Sequence, residues 1–242
     1  GHAPAIFFSY QLMVALIEQI GLHLMARHLA PALPAGTRLG WSAATLFAPI
    51  KPVLAFSLSI AFTSSVWVFV TQTDKLLLSS ILPLAEYGYF TLAVLVAGGI
   101  MMVSGPISGA IMPRMTNLQA QGKEAELIAV YRQATQLVVV LALPVALVLG
   151  FFAPQVLWAW TGKADLAAQA APVLALYAAG YGILVVGAFP YYLQYAKGNL
   201  RLHIIGNAVL LVLLIPSIVW AATHYGMVGA GWAWLISNAV YF

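Results

Sequence analysis

The chain has 242 residues, of which 63% are hydrophobic and 7% charged, and its mean hydropathy is +0.96. These values exclude an ordinary soluble domain, and the lack of cysteine excludes disulfide frameworks, thiolate nucleophiles and Cys-ligated metal centres. The net charge of +4 comes without a basic run interleaved with aromatics, so no nucleic-acid partner is expected.

A hydrocarbon core of roughly 30 Å takes about 20 helical residues to cross, and only helices or closed barrels satisfy their backbone groups inside it. Apolar stretches predict helices at 5–26, 53–73, 89–112, 133–153, 170–193, 202–222 and 228–242. The expected fold is therefore all-α, a polytopic transmembrane bundle of about seven spans. The connections after the first, third and fifth spans hold Arg27, Arg38, Lys51, Arg114, Lys123, Arg132, Lys197 and Arg201; the others hold only Lys75 and Lys163. This alternation puts the first set in the cytoplasm and residue 1 outside. Gly1 stands where no basic n-region or cleavage site follows, so the first span is not a signal peptide. An outside start, and a last helix of about 15 residues ending at Phe242, lead to the expectation of a piece of a larger transporter-sized protein. A complete seven-span protein is the alternative.

In the first helix Glu18 lies mid-span with Gln11 seven residues before it on the same face, and Gln19 and His23 form a neighbouring polar stripe. Ionisable groups inside a span are costly and therefore functional candidates. The stripe reads either as cavity lining or as an inter-helix hydrogen-bond cluster. The following connection is rich in Pro and Ala, with Gly36 and Gly40, and suits a linker between structural halves. On the second helix Ser57, Ser64, Trp67, Thr71 and Asp74 align on one side. Asp74 and Lys75 stand at its outer end, about 100° apart around the axis. They read either as an interfacial charge pair or as groups with partners on other helices.

Gly98, Gly99, Gly105, Gly109 and Pro106 mark the third span, and Gly180, Gly182, Gly187 and Pro190 the fifth. Small residues let helices approach and prolines bend them, which serves packing or a protein that changes shape around a cavity. Tyr177 and Tyr181 lie deep in the fifth span, with faces that suit stacking on sugar rings or simple packing. Tyr191, Tyr192, Gln194 and Tyr195 gather near its cytoplasmic end, and His203 and Asn207 open the next helix. The five histidines (His2, His23, His28, His203, His224) lack ligand spacing, so no metal site is expected, and no Gly-rich nucleotide loop is present. No paired carboxylates suggest glycosyl transfer, and no cofactor is implied.

The segment from Thr71 through Asp74, Lys75, Glu86, Tyr87, Gly88 and Tyr89 to Phe90 resembles the Wzx-type oligosaccharide flippases. These form the polysaccharide (O-antigen) branch of the multidrug/oligosaccharidyl-lipid/polysaccharide exporter superfamily. Ser104, Gly105, Pro106, Pro113 and Arg114 are similar to that family's pattern, as is loop spacing over 53–242. The resemblance implies two six-helix lobes around a central cavity. Residues 1–30 would be the last helix of the N-terminal lobe, 31–52 a cytoplasmic linker and 53–242 the C-terminal lobe. It further implies a non-enzymatic transporter that flips an undecaprenyl-pyrophosphate-linked oligosaccharide across the bacterial inner membrane by alternating access, its partners being the lipid bilayer, that glycan and the missing lobe. On that basis Lys75, Arg114 and Arg201, with Tyr177 and Tyr181, are substrate-binding candidates. Asp74 and Glu18, with Gln11, Gln19 and His23, are coupling or polar-cavity candidates. A multidrug or lipid II exporter of the same superfamily, a membrane enzyme acting on lipid-linked sugars and a structural subunit are the rival readings.

Overall fold

The computed structural model describes residues 3–29 and 51–241, apart from the side chains of 3–6, 51–53 and 55. Positions 31–50 of the expected linker lie outside these. The chain forms two compact units, Gly1–Pro52 and Val53–Phe242. In the first, α1 (Ala3–Leu29) exposes every described side chain from Phe7 to Leu29.

The second unit is built from α2 (Lys51–Ile81), α3 (Leu84–Ala120), α4 (Glu124–Phe151), α5 (Ala153–Thr161), α6 (Ala164–Ala196) and α7 (Arg201–Tyr241). Four of the described helices, α3, α4, α6 and α7, are long and apolar enough to cross a membrane. They hold five of the seven expected spans, because α7 contains two. Gly226 breaks α7 (φ 62°, ψ −151°) into limbs 201–225 and 227–241, a conformation that residues with a Cβ rarely adopt. Helices α1 and α2 cover the other two expected spans.

The breaks between helices are short and have local causes. Pro83 follows α2, and the residue before a proline is pushed out of the helical region, so Leu82 leaves the helix and α2 ends at Ile81. Gly122, in the left-handed region, closes α3: its N–H donates to the Gln119 carbonyl at 3.1 Å and the Lys123 N–H to the Leu118 carbonyl at 3.0 Å. Two expectations are corrected. Asp74 lies within α2, which runs on to Ile81 because Leu76, Leu77 and Leu78 continue a good helical sequence past the charges. The stretch after Phe152, expected as a loop, forms the nine-residue α5 with Pro154 in its first turn.

Helix α6 is the centre of the unit and packs against α3, α4, α5 and α7. Its Ala167, Ala170, Ala171, Ala178, Gly180 and Gly182 are buried, and small side chains are what allow such close approach. A Cβ on Gly180 would lie 2.7 Å from the Trp234 ring, and one on Gly182 would lie 3.1 Å from the Ala146 Cβ. By contrast Gly98, Gly99, Gly105 and Gly109 of α3 have nothing within 4 Å, so packing accounts for Gly180 and Gly182 but not for these four. Helix α2 joins the unit through side chains: Val66, Val70 and Leu78 enter the core, and Phe56 meets the Tyr195 ring at 5.5 Å.

Candidate functional site

Among the described residues Asp74 is the one charged side chain that is fully buried, with 1% of its surface exposed. Its Oδ2 accepts a hydrogen bond from the Tyr177 hydroxyl of α6 at 2.9 Å, and its Oδ1 accepts from the Lys75 backbone N–H at 2.7 Å. The rest of its surroundings are aromatic. Trp234 of α7 stacks on Tyr177 at 5.4 Å with 7° between planes, and Phe90 of α3 meets Tyr177 edge-on at 5.6 Å. Tyr181 closes the box at 5.5 Å from Trp234. The box is assembled because Gly180 leaves room for the indole and because α2 stays helical past Asp74. Burying a carboxylate this way is expensive unless it is hydrogen-bonded, and the phenol and the N–H supply that.

Asp74 therefore finds its partner across helices. Lys75 does not pair with it: its Nζ donates back to the Thr71 carbonyl at 2.7 Å and to Gln72 Oε1 at 3.2 Å. Tyr177 and Tyr181, expected to stack on sugar or to pack, are buried and pack against protein rings in this conformation. Arg114 and Arg201 are exposed. Arg114 lies about 36 Å of helix from Phe90, and Arg201 begins α7, where its backbone N–H donates to Asn199 Oδ1 at 3.2 Å. Gln11, Glu18, Gln19 and His23 are exposed on α1 in the other compact unit.

A second polar group forms where the C-terminal end of α6 meets the first and last turns of α7. Tyr241 Oη donates to Asn207 Oδ1 at 2.8 Å, and Asn207 Nδ2 lies 3.0 Å from His203 Nε2. Gln194 Oε1 accepts from the His203 backbone N–H at 3.1 Å, and the Tyr191 ring lies 4.6 Å from the imidazole. Sequence reasoning singled out Tyr191, Gln194, His203 and Asn207 but passed over Trp234, Asn238 and Tyr241, and met Phe90 only as the end of the segment 71–90. The one signal was the spacing of Asn238 and Tyr241, two polar-edged side chains three residues apart on one helix face.

Long apolar helices packed around one buried, hydrogen-bonded carboxylate define a polytopic helical membrane protein. The chain belongs to the polysaccharide biosynthesis protein family, whose model matches residues 11–164, from α1 to the first residue of α6. The matched region contains the segment 71–90 that carried the resemblance. No curated protein and no solved structure matches the chain.

Proposed function

We propose that this protein flips an undecaprenyl-pyrophosphate-linked oligosaccharide across the bacterial inner membrane for polysaccharide or O-antigen synthesis, by alternating access and without covalent chemistry. The observation that carries this reading is the buried Asp74–Tyr177 bond between α2 and α6. An ionisable group buried inside a membrane bundle is a functional candidate by default, and one pinned across two helices can change partner when they move. In this reading Asp74 takes up the coupling proton. Protonation converts an acceptor-only carboxylate into a group that also donates, which weakens its need for the Tyr177 hydroxyl and frees α2. The neighbouring chemistry suits a proton better than a metal ion, since hard cations want several oxygens and the box offers mostly ring faces. In this reading Arg114, exposed on the last two turns of α3, and Arg201, exposed at the start of α7, receive the pyrophosphate as charge-assisted partners. A further lobe would supply the rest of the cavity.

The test is to express the full-length gene in a bacterium lacking its own flippase and to measure surface polysaccharide. Restoration of polymer with any of several donor glycans supports the reading, and Asp74→Asn is expected to abolish it. Failure with every donor would overturn it, and resistance to cationic drugs in its place would favour the exporter alternative.

A further inference from the structure

The second limb of α7 carries Trp234, Asn238 and Tyr241, at steps of four and three, on one face. Trp234 is fully buried and Asn238 is 2% exposed, yet Trp234 Nε1–H has no acceptor and Asn238 Oδ1 has no donor. The Asn238 amide N–H is already engaged with the Trp234 carbonyl at 2.8 Å. Each orphaned group costs on the order of 1–3 kcal/mol. Leu in place of Asn238 would be buried without that cost, so the polar atoms point to a ligand of their own.

The two ends of this face are proton-bearing groups. At the outer end Tyr177 stacks on Trp234 and donates its hydroxyl to Asp74. At the cytoplasmic end Tyr241 Oη meets His203 Nδ1 at 3.3 Å and donates to Asn207 Oδ1. An amide nitrogen only donates, so the Asn207 contact leaves His203 Nε2 unprotonated and puts the imidazole proton on Nδ1, toward Tyr241. Lys197 and Arg201 are the charged groups nearest this end, and Lys197 is held by Glu124 at 3.0 Å. From Trp234 to Tyr241 the limb rises about 10 Å, a gap that about three or four hydrogen-bonded waters would bridge.

We propose that this face holds a short file of water, anchored by Trp234 Nε1–H and Asn238 Oδ1, that conducts protons between Asp74 and the His203–Tyr241 group at the cytoplasmic side. Water is a suitable ligand because it accepts from the indole and donates to the amide oxygen, and buried waters make two to four such bonds. Each member of the file takes one proton and passes one on, so Asp74 loses a proton and the cytoplasm gains it, and the waters then turn to restore their first hydrogen-bond direction. The inference rests on the reading that Asp74 is protonated and deprotonated during transport.

The full-length protein, reconstituted in phosphatidylethanolamine–phosphatidylglycerol vesicles with an internal pH dye, is exposed to X-ray pulses in 18O water and mapped by mass spectrometry. Radiolysis of a bound water marks the side chain beside it, so wild-type Trp234 should take up 18O despite its burial, and Asn238→Leu should lose the mark. Asn238→Leu should unfold at the wild-type temperature or above, because it removes an orphan, while proton flux falls at least tenfold. An unmarked wild-type Trp234 overturns the proposal, and so does wild-type flux in Asn238→Leu. A marked Trp234 with proton flux but no glycan movement supports the file and counts against the flippase reading.

Discussion

Replacing Tyr177 by Phe removes one hydroxyl and keeps the ring that stacks on Trp234 and meets Phe90. The loss falls on Asp74, whose Oδ2 gives up a donor at 2.9 Å while Oδ1 keeps the Lys75 N–H at 2.7 Å. With 1% of Asp74 exposed, bulk water does not replace the phenol. A hydrogen bond to a charged acceptor is worth about 1.5–3 kcal/mol. In a domain of this size each kcal/mol moves the unfolding midpoint by roughly 2–4 °C, so Tyr177→Phe should lower it by about 3–12 °C. The assay is thermal unfolding of the purified protein in detergent, followed by near-UV circular dichroism, which reports the aromatic box. Tyr181→Phe serves as the control: its ring also touches Trp234, and its hydroxyl is not the one that donates to Asp74. Adding Asp74→Asn to Tyr177→Phe should recover part of the loss, because an unpartnered amide costs less than an unpartnered carboxylate. An unchanged midpoint in Tyr177→Phe would refute the reasoning, since the bond would then contribute nothing to holding α2.

Three further outcomes follow from the packing, each read by the same unfolding assay. Gly180→Ala should destabilise by about 1–3 kcal/mol through overpacking, because its Cβ would stand 2.7 Å from a fully buried Trp234. Gly226→Ala should also destabilise, by about 1–3 kcal/mol of backbone strain. Its φ is 62° and the nearest atom to its Cβ is Glu86 Oε2 at 3.8 Å, so strain rather than collision is responsible. Lys197→Ala should change the midpoint little, because the Lys197–Glu124 pair at 3.0 Å is exposed and such pairs contribute less than about 1 kcal/mol.

The helices of the second unit were legible because an apolar run with no breaker has one stable form in hydrocarbon. Their ends were less so. The charges at Asp74 and Lys75 read as a boundary, yet helix propensity carried α2 through them to Ile81, and that continuation places the carboxylate inside the bundle. Helix α5 was missed because nine residues opening on a proline carry too little periodicity to separate from a loop. For the site, Asp74 was identifiable as a charge at the outer end of its helix, and Tyr177 and Tyr181 as aromatic groups deep in a span. Their juxtaposition was not, because it depends on Gly180, whose missing Cβ admits Trp234, and on a bond between Asp74 and Tyr177, which lie 103 residues apart in the chain. Trp234 itself gave no signal within an apolar run. The polar stripe of α1 was equally visible in the sequence, but Gln11, Glu18, Gln19 and His23 are exposed within their own unit.

The account's central claim is that Asp74 drives transbilayer movement of a lipid-linked sugar. The most direct measurement reconstitutes the full-length protein in vesicles and follows a fluorescent, short-chain analogue of the polyprenyl-pyrophosphate sugar as it crosses the bilayer under an imposed proton gradient. The account predicts movement that collapses with the gradient and is lost in Asp74→Asn while that variant remains folded. Movement by Asp74→Asn at the wild-type rate under the same gradient would contradict it.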